Sequence, residues 1–137
     1  MTIAIINGPN LNLLGKREVS VYGTTSFEDY FEQLKAKFPG VEFSYFQSNI
    51  EGELVNEIQR VGFTADGIIL NPAGYSHTSV SIGDAIAAVK TPVVEVHISN
   101  IFGREEFRKI SLISGKSAGV ISGLGLKGYE LAVQYFL

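Results

Sequence analysis

Short apolar runs rich in isoleucine and valine recur along the chain and predict β-strands. Most of them are almost continuously apolar, which is typical of parallel strands that are covered on both faces. The five predicted strands are residues 3–7, 41–47, 67–71, 93–98 and 119–122.

The segments between these runs carry apolar residues at helical spacing and predict helices. Ser26 followed by Asp29 resembles a capping box at the start of the first helix, and Gly40 suits its end. We also predict one short helix from Arg104 to Lys109, with Arg104 and Arg108 on the same face. The four apolar stripes are Phe27, Tyr30, Phe31, Leu34 and Phe38; Leu54, Val55, Ile58 and Val61; Ala85, Ile86 and Val89, ended by Pro92; and Tyr129, Ala132, Val133 and Phe136.

Strands that alternate with helices indicate an α/β fold, because parallel strands need crossover connections. We expect a doubly wound, five-stranded parallel sheet with the flavodoxin-like strand order 2-1-3-4-5. The 137 residues suit a single catalytic domain that spans residues 1–137. Residues 8–25 form one long irregular stretch, and a loop of this length in a compact domain favours an active-site lid.

Charge and composition narrow the classes of partner. The formal net charge is −3, so no basic field is present to hold a phosphate backbone, and we expect no nucleic-acid partner. The chain has no cysteine, which excludes disulfides, thiol catalysis and thiolate metal sites but leaves the redox compartment open. No apolar run approaches the ~20 residues of a membrane helix, and the first residues do not resemble a signal peptide. We therefore expect a cytoplasmic protein with no membrane partner.

One short motif supports a competing hypothesis. Residues 123–128, GLGLKG, match the glycine pattern of a dinucleotide-binding turn, so a dinucleotide-binding module on the same fold is the alternative. A dinucleotide site also needs a following strand and an acidic residue about 20 positions on, and the given sequence shows neither. A tight strand-to-helix turn is the simpler interpretation.

The sequence context argues against three other functional motifs. Ser117 in GKSAG precedes a predicted strand, whereas a nucleophile elbow stands between a strand and a helix. SGKS lacks the first glycine of a P-loop, because residue 110 is isoleucine. A receiver domain would need acidic residues at the ends of strands 1 and 3, where this chain has Asn7 and Asn71.

Unusual polar residues collect where the predicted parallel strands end, and ligands of open parallel sheets bind at these carboxyl ends. The first strand ends at Asn7 and is followed by Asn10. The third ends at Asn71 and is followed by His77, and the fourth carries His97 near its end. His77 and His97 are the two histidines of the chain, and both fall on the predicted ligand edge.

Glu95 and His97 are two residues apart in a strand, so both side chains project to one face. Burying a charge is costly unless it is paired, and a carboxylate beside an imidazole fixes its tautomer and prepares it as a general acid. The alternative is a pair that only ties the strand to a helix or faces solvent. The two histidines with Glu95 could also form a 2-His-1-carboxylate metal set, but the nearby asparagines and arginines favour an anionic substrate.

Six segments together resemble type II 3-dehydroquinate dehydratase over essentially the whole chain. They are INGPNLNLLGKRE, VYG, QSNIEGEL, ILNPAGYSHTSVSIGDA, PVVEVHISNIFGREEFR and GLGLKGYELA. The resemblance implies a flavodoxin-like lyase of the shikimate pathway that converts 3-dehydroquinate to 3-dehydroshikimate and water without a metal or cofactor. It also implies a homo-oligomer, a dodecamer built from trimers.

The resemblance assigns five catalytic residues. Taken alone, Tyr22 is most simply an aromatic core residue and Arg17 a surface charge. By match to the family motifs, Tyr22 is the base that removes the proton alpha to the ketone, and Arg17 on the same lid favours its deprotonated form. Asn10 positions the base and a water. His97 protonates the departing hydroxyl and is oriented by Glu95.

The resemblance also implies the residues that bind substrate. The side chains of Asn71, His77 and Arg108 would bind ring hydroxyls, and the backbone N–H groups of Ile98 and Ser99 would hold the carboxylate. Two further residues are placed at the margin of the site: Asp84 is expected to reach a neighbouring subunit's site, and Arg104 to lie near the lid.

The chain departs from the usual family pattern at three places. Gly83 stands before Asp84 where an arginine is common, and Phe102-Gly103 replaces a frequent His-Ala pair. Gly74 and Ser76 vary within the loop that carries His77. None of these departures removes a proposed catalytic group.

Overall fold

The structure, a computed structural model, describes residues 1–16 and 19–137, with Val21 and Tyr22 described by their backbone alone. In this part of the chain one parallel sheet is formed with the order β2-β1-β3-β4-β5. The predicted α/β fold and the flavodoxin-like strand order are therefore confirmed. The strands are β1 (Thr2–Asn7), β2 (Glu42–Gln47), β3 (Gly67–Asn71), β4 (Val93–His97) and β5 (Gly119–Ser122).

Helices cover both faces of the sheet. They are α1 (Val19–Tyr22), α2 (Phe27–Lys37), α3 (Glu51–Val61), α4 (Val80–Ala88) and α5 (Lys127–Phe136). The four predicted apolar stripes lie in α2, α3, α4 and α5 or at their ends. The predicted cap of α2 is also present, because the Ser26 side chain accepts a hydrogen bond of 3.1 Å from the backbone N–H of Asp29. None of the helices in the described part of the chain is long and apolar enough to cross a membrane.

The hydrophobic core has two halves, one on each face of the sheet. Successive side chains of a strand point to opposite faces, so Ile3 and Ile5 of β1 pack on α2 and α5, whereas Ile6 packs on α3 and α4. The central strands β1, β3 and β4 are buried almost throughout. A polar side chain in these strands is therefore enclosed unless it lies at a strand end.

The predicted helix from Arg104 to Lys109 is wrong. Two short 3-10 helices, Ile101–Gly103 and Glu106–Lys109, occupy this region, and Arg104 between them has an extended backbone with φ −110° and ψ −156°. The segment carries no apolar stripe to bury, since Phe102 and Phe107 are both exposed. A helix this short has little to offset its nucleation cost without tertiary packing.

The described part of the stretch 8–25 has more regular structure than predicted. It contains the 3-10 helix Leu11–Leu13 and the single turn α1, so it is not irregular throughout. Leu11 and Leu14 are buried against the core on the α2 and α5 face. Elements of one turn have no repeating apolar pattern, which is why periodicity did not indicate them.

Candidate active site

The register of the sheet brings the polar strand ends to one edge. Asn7 pairs with Gln47 of β2 and with Asn71 of β3, and His97 pairs with Ser122 of β5. Next to this edge lies a cavity of about 160 Å³. Its lining includes eight of the residues singled out in the sequence: Asn10, Asn71, His77, His97, Ile98, Ser99, Arg104 and Arg108. Residues from separate parts of the sequence thus meet at one cavity.

The predicted pair of Glu95 and His97 forms at the end of β4. The His97 Nε2 atom is hydrogen-bonded to a Glu95 carboxylate oxygen. Glu95 is 0% exposed and His97 is 5% exposed, so the pair is enclosed rather than solvated. His97 lines the cavity, whereas Glu95 lies behind it. The contact holds the imidazole ring in place from behind the cavity wall.

Three serines surround the Glu95 carboxylate. Ser76 Oγ donates to one carboxylate oxygen at 2.9 Å, and Ser114 Oγ donates to the other at 2.7 Å. Ser111 Oγ lies 3.2 Å from the Ser76 hydroxyl and 2.8 Å from the Ser114 hydroxyl. Burial raises the pKa of Glu95, but the hydrogen bonds and charge of His97 and the two serine hydroxyls outweigh it and hold the pKa below its ordinary value. The carboxylate is therefore ionised near neutral pH.

The second histidine is held by the chain that follows the 3-10 helices. His77 Nδ1 lies 2.8 Å from the carbonyl oxygen of Ile110, and a carbonyl only accepts, so Nδ1 carries the proton and Nε2 is the nitrogen left for a ligand. The His77 ring stacks on the His97 ring with 6.4 Å between the centroids. Phe107 meets His77 edge-on at 5.8 Å, so both imidazoles have defined orientations.

Arg108 is positioned by neighbours on both sides. Its Nε donates to a Glu105 carboxylate oxygen at 2.7 Å, and its guanidinium carbon lies 4.9 Å from the centre of the Phe107 ring. Arg104 donates to the Ser99 hydroxyl at 3.3 Å. Both guanidinium groups line the cavity despite the break between the two 3-10 helices, so the wrong helix prediction does not remove them from the site.

A buried tyrosine connects the ends of β1 and β3. Asn71 Nδ2 donates to the Tyr129 hydroxyl at 2.9 Å, and this hydroxyl donates to Asn7 Oδ1 at 2.8 Å. Asn71 Oδ1 accepts from the backbone N–H of Ala73 at 3.1 Å, so the amide is held at both ends. Burial raises the pKa of Tyr129 well above its ordinary value. The hydroxyl therefore keeps its proton and serves as a fixed donor rather than as a base.

The GLGLKG segment is a turn that supports the neighbouring strand end. Gly123 and Gly125 have φ values of 89° and 64°, which side chains with a Cβ rarely adopt. Their backbone N–H groups donate to the carbonyl oxygens of His97 and Ile98 at 3.1 Å and 3.0 Å. These N–H groups already have partners within the chain. This geometry favours the tight-turn interpretation of the motif over the dinucleotide one.

Asn10 stands at the start of the stretch 8–25 in a left-handed conformation, with φ 69°. Its backbone N–H donates to Asn49 Oδ1 at 3.0 Å, and the carbonyl of Asn49 accepts from the Tyr75 hydroxyl at 2.8 Å. Asn49 thus joins the start of this stretch to the loop that carries His77. Sequence analysis assigned Asn49 no role, because Asn10 and Tyr75 lie far from it along the chain.

Four predicted site residues are not among the cavity lining in the described part of the chain: Glu95, which lies behind it, and Arg17, Tyr22 and Asp84. Arg17 lies outside the described residues, and Tyr22 is described only as the last backbone position of α1. Asp84 is exposed on α4 and is absent from the cavity lining in the described part of the chain. Beside it, a Cβ on Gly83 would lie 2.6 Å from the carbonyl oxygen of Leu112. The glycine found here thus lets the 110–113 segment pack closely on α4.

The described residues offer no cluster of three or more His, Asp or Glu side chains that could hold a metal ion. The serines around Glu95 are the main feature that sequence reasoning missed. Ser111 and Ser114 stand in a short polar stretch, SLISG, with no recognisable motif. The one available signal was a carboxylate in a buried strand, which requires donors from somewhere in the fold.

Comparisons with known proteins agree with this geometry. The sequence model of the family described as dehydroquinase class II matches residues 1–137. A 3-dehydroquinate dehydratase of Aliarcobacter butzleri is 55% identical over 135 residues, which cover 97% of this chain and 82% of that protein. One from Campylobacter jejuni is 56% identical over 135 residues, covering 97% and 85%. The crystal structure of a type II dehydroquinase from Butyrivibrio crossotus superposes with a TM-score of 0.95 at 43% identity, over 99% of this chain and 97% of that one.

Proposed function

The chain belongs to the class II dehydroquinase family, and we propose that it removes water from 3-dehydroquinate by an anti elimination through an enolate. Its curated relatives bear the name 3-dehydroquinate dehydratase. The observation that carries the mechanism is the enclosed pair of Glu95 and His97 at the cavity wall. The product is 3-dehydroshikimate, and the reaction needs no metal or cofactor.

His97 is the proposed general acid. The elimination breaks a carbon–oxygen bond beta to the ketone, and the hydroxyl departs with the bonding electrons. A proton from the His97 imidazolium converts it to water. Glu95 supports this step because an ionised carboxylate next to the ring stabilises the charged imidazolium and holds it in one orientation.

Tyr22 is the proposed base, with Arg17 favouring its phenolate form. The phenolate removes the proton alpha to the ketone, and the electron pair of that bond forms the enolate. Support for these roles comes from the match of the segments around both residues to the family pattern. We further propose that residues 8–25 act as a lid of a single domain, since Leu11 and Leu14 from this stretch line the cavity and a closing segment can exclude water.

Substrate binding is proposed for the polar lining. Asn71, His77 and Arg108 bind hydroxyl groups of the ring, and Asn10 positions a water near the enolate oxygen. The backbone N–H groups of Ile98 and Ser99 bind the substrate carboxylate. All six residues line the same cavity, and their donors and the guanidinium of Arg108 suit an anionic, hydroxylated ligand.

Asp84 is proposed to complete the site of a neighbouring subunit in a dodecamer built from trimers. Its position supports this, because it is exposed on the helix that follows the His77 loop. Exposed apolar side chains occur on the same part of the molecule, at Val80 and at Ile110. Sedimentation of Asp84→Ala alongside wild type, combined with kinetics, tests the assembly: weaker association together with a higher KM is expected, and a fully active monomer would contradict it.

The dehydration itself is tested by incubating the purified protein with 3-dehydroquinate and a chelator. The conjugated enone absorbance of the product should appear at the same rate with and without the chelator. Folded protein without this signal would overturn the proposal. A mass increase after borohydride treatment with substrate would show a lysine imine and overturn the enolate mechanism.

Two variants separate the proposed base from the proposed acid. Tyr22→Phe keeps the ring and should lower kcat by a factor of about 10² or more, with loss of exchange of the substrate's alpha proton. His97→Asn should block water loss but still allow that exchange with solvent deuterium. Tyr135→Phe, on the exposed side of α5, is the matched control and should behave as wild type. Near-normal turnover in Tyr22→Phe would leave the base unidentified.

A further inference from the structure

We propose that Ser76 and Ser114, held together by Ser111, are positioning residues that fix the Glu95 carboxylate and through it the His97 ring. This inference rests on the proposed role of His97 as the acid. It concerns residues behind the cavity wall, since none of the three serines lines the cavity. They act on the reaction through Glu95 rather than by contact with the substrate.

The three serines come from two separate parts of the fold. Ser76 lies in the 3-10 helix Ala73–His77, directly before His77. Ser114 begins the 3-10 helix Ser114–Lys116, and Ser111 stands just before it. The two parts are joined by the backbone N–H of Leu112, which donates to the Ser76 carbonyl at 2.8 Å. The hydroxyls of Ser76 and Ser114 thus reach the two oxygens of the Glu95 carboxylate from separate parts of the chain.

Proton counting fixes the direction of each hydrogen bond. An ionised carboxylate only accepts, and each serine hydroxyl has one proton to donate. Glu95 therefore accepts hydrogen bonds from the hydroxyls of Ser76 and Ser114 and from the His97 Nε2–H group. Ser111 accepts the backbone N–H groups of Ile113 and Ser114 at 3.1 Å and 2.9 Å. Its own proton is left to bond the hydroxyl of Ser76 or Ser114.

The hydrogen bonds from the serines affect how the proton is shared between Glu95 and His97. Donors to the ionised form of a carboxylate lower its proton affinity. With both serine donors present, the proton between Glu95 and His97 stays on the imidazole, as an acid needs. Without them the carboxylate becomes more basic and holds the shared proton more strongly. The serines thereby keep Glu95 an ionised acceptor that holds the His97 ring in one orientation.

Other ionisable groups lie near the Glu95 and His97 pair on the neighbouring elements. His77 stacks on His97, and Arg104 and Arg108 line the same cavity. Arg108 is paired with Glu105. Lys116 shares a 3-10 helix with Ser114 but is exposed to solvent. The serine variants change none of these charges, so a change in the pH profile reports on the Glu95 and His97 pair.

The decisive experiment measures kcat, KM and the pH profile of Ser114→Ala and of the double variant Ser76→Ala/Ser114→Ala. The double variant should lower kcat by about 10-fold to 100-fold, the usual effect of removing partners behind a reacting group. KM should change little. The alkaline limb of kcat should move to higher pH, because losing donors to the anion raises the proton affinity of the pair as a whole.

Two further variants make the test specific. Ser117→Ala is the matched control, because the hydroxyl of this half-buried serine bonds only the Ile113 carbonyl among the described contacts. It should keep wild-type kcat and pH profile. Ser114→Thr restores a hydroxyl at the same position. It should return kcat and the alkaline limb of its pH profile to the wild-type values. If the double variant does not fold, the comparison of Ser114→Ala with Ser114→Thr decides, since Ser114 is only half-buried.

The outcomes separate this inference from the proposed function. Glu95→Gln and His97→Asn are measured in parallel. If both lose activity while the serine variants match Ser117→Ala in kcat and pH profile, the positioning role is overturned and the proposed acid stands. If Glu95→Gln retains wild-type turnover, the pair is not the acid, and both proposals are overturned.

Discussion

At the scale of single residues, the Tyr129 hydroxyl carries two of the buried hydrogen bonds beneath the cavity, to Asn71 and to Asn7. Tyr129→Phe removes the oxygen and leaves both amides short of a partner. A buried group without its partner costs about 1–3 kcal/mol, so the free energy of unfolding should fall by about this amount. KM should also rise, because Asn71 loses one of its two restraints.

Denaturant unfolding and steady-state kinetics check this expectation. Tyr135→Phe makes the same chemical change on the exposed face of α5 and should stay within about 0.5 kcal/mol of wild type. Equal stability of the two variants would mean that the buried hydrogen bonds contribute little.

Ala73 provides a second residue-scale prediction. It has a φ of 52°, and a left-handed conformation costs a residue with a Cβ roughly 1–2 kcal/mol. Ala73→Gly removes this strain but adds an entropy cost of about 0.5–1 kcal/mol. We expect a net stabilisation of about 0.5 kcal/mol in thermal or denaturant unfolding.

The control for Ala73→Gly is the same substitution in regular helix. Ala87 is exposed within α4, and Ala87→Gly should destabilise the protein by about 0.5–1 kcal/mol. Destabilisation of the same size at both positions would refute the strain argument.

At this scale, the sequence was informative where a side chain is unusual for the element that carries it. Glu95 is an ionisable side chain in a buried strand, and its spacing from His97 predicted the contact that forms. It failed for Ser76, Ser114 and Tyr129, which are ordinary in their own segments. Their partners lie 19 and 58 positions away along the chain. Only the fold brings such partners together.

At the scale of elements, prediction depended on length and periodicity. The helices α2, α3, α4 and α5 each bury an apolar stripe, which the sequence displays directly. The 3-10 helices and α1 are too short for a period to appear. The wrong helix from Arg104 to Lys109 shows the same limit, because its only support was the spacing of two arginines.

The start of α4 provides a prediction about an element. Ser79 Oγ accepts a hydrogen bond of 2.9 Å from the backbone N–H of Ile82 and is almost fully buried. Such a cap satisfies a donor that the helix leaves open. Ser79→Ala should therefore lower the free energy of unfolding by about 1 kcal/mol.

Ser81→Ala is the matched control two residues further along α4. Ser81 is exposed, and its loss should change stability by less than about 0.5 kcal/mol. Chemical denaturation of both variants at neutral pH measures the difference. A loss at Ser81 as large as at Ser79 would contradict the cap argument.

At the scale of the whole molecule, the site is a consequence of parallel register. Parallel strands end at one edge of the sheet, so residues at or after the ends of β1, β3 and β4, which are far apart in sequence, line one cavity. Composition and alternation were enough to predict this edge. They could not predict how the 110–114 segment folds back behind β4, because that path follows from packing on α4 and on the His77 loop.

The acid stability of the molecule is linked to Glu95. Burial raises the pKa of this carboxyl, but the hydrogen bonds from His97, Ser114 and Ser76 hold it below its ordinary value in the folded protein. A carboxyl with a lower pKa in the folded state contributes stability that is fully present above its unfolded pKa. This contribution is lost as the pH falls through the folded pKa.

Glu95→Gln removes the ionisable group, so the difference in free energy of unfolding between wild type and variant (the stability gap) should narrow as the pH drops from 7 to below about 4. Urea unfolding over this range measures the gap, with Glu32→Gln, an exposed carboxylate paired with Lys35, as the control. A gap for Glu95→Gln that stays constant down to the lowest pH would mean that the carboxylate contributes nothing to folding through its charge.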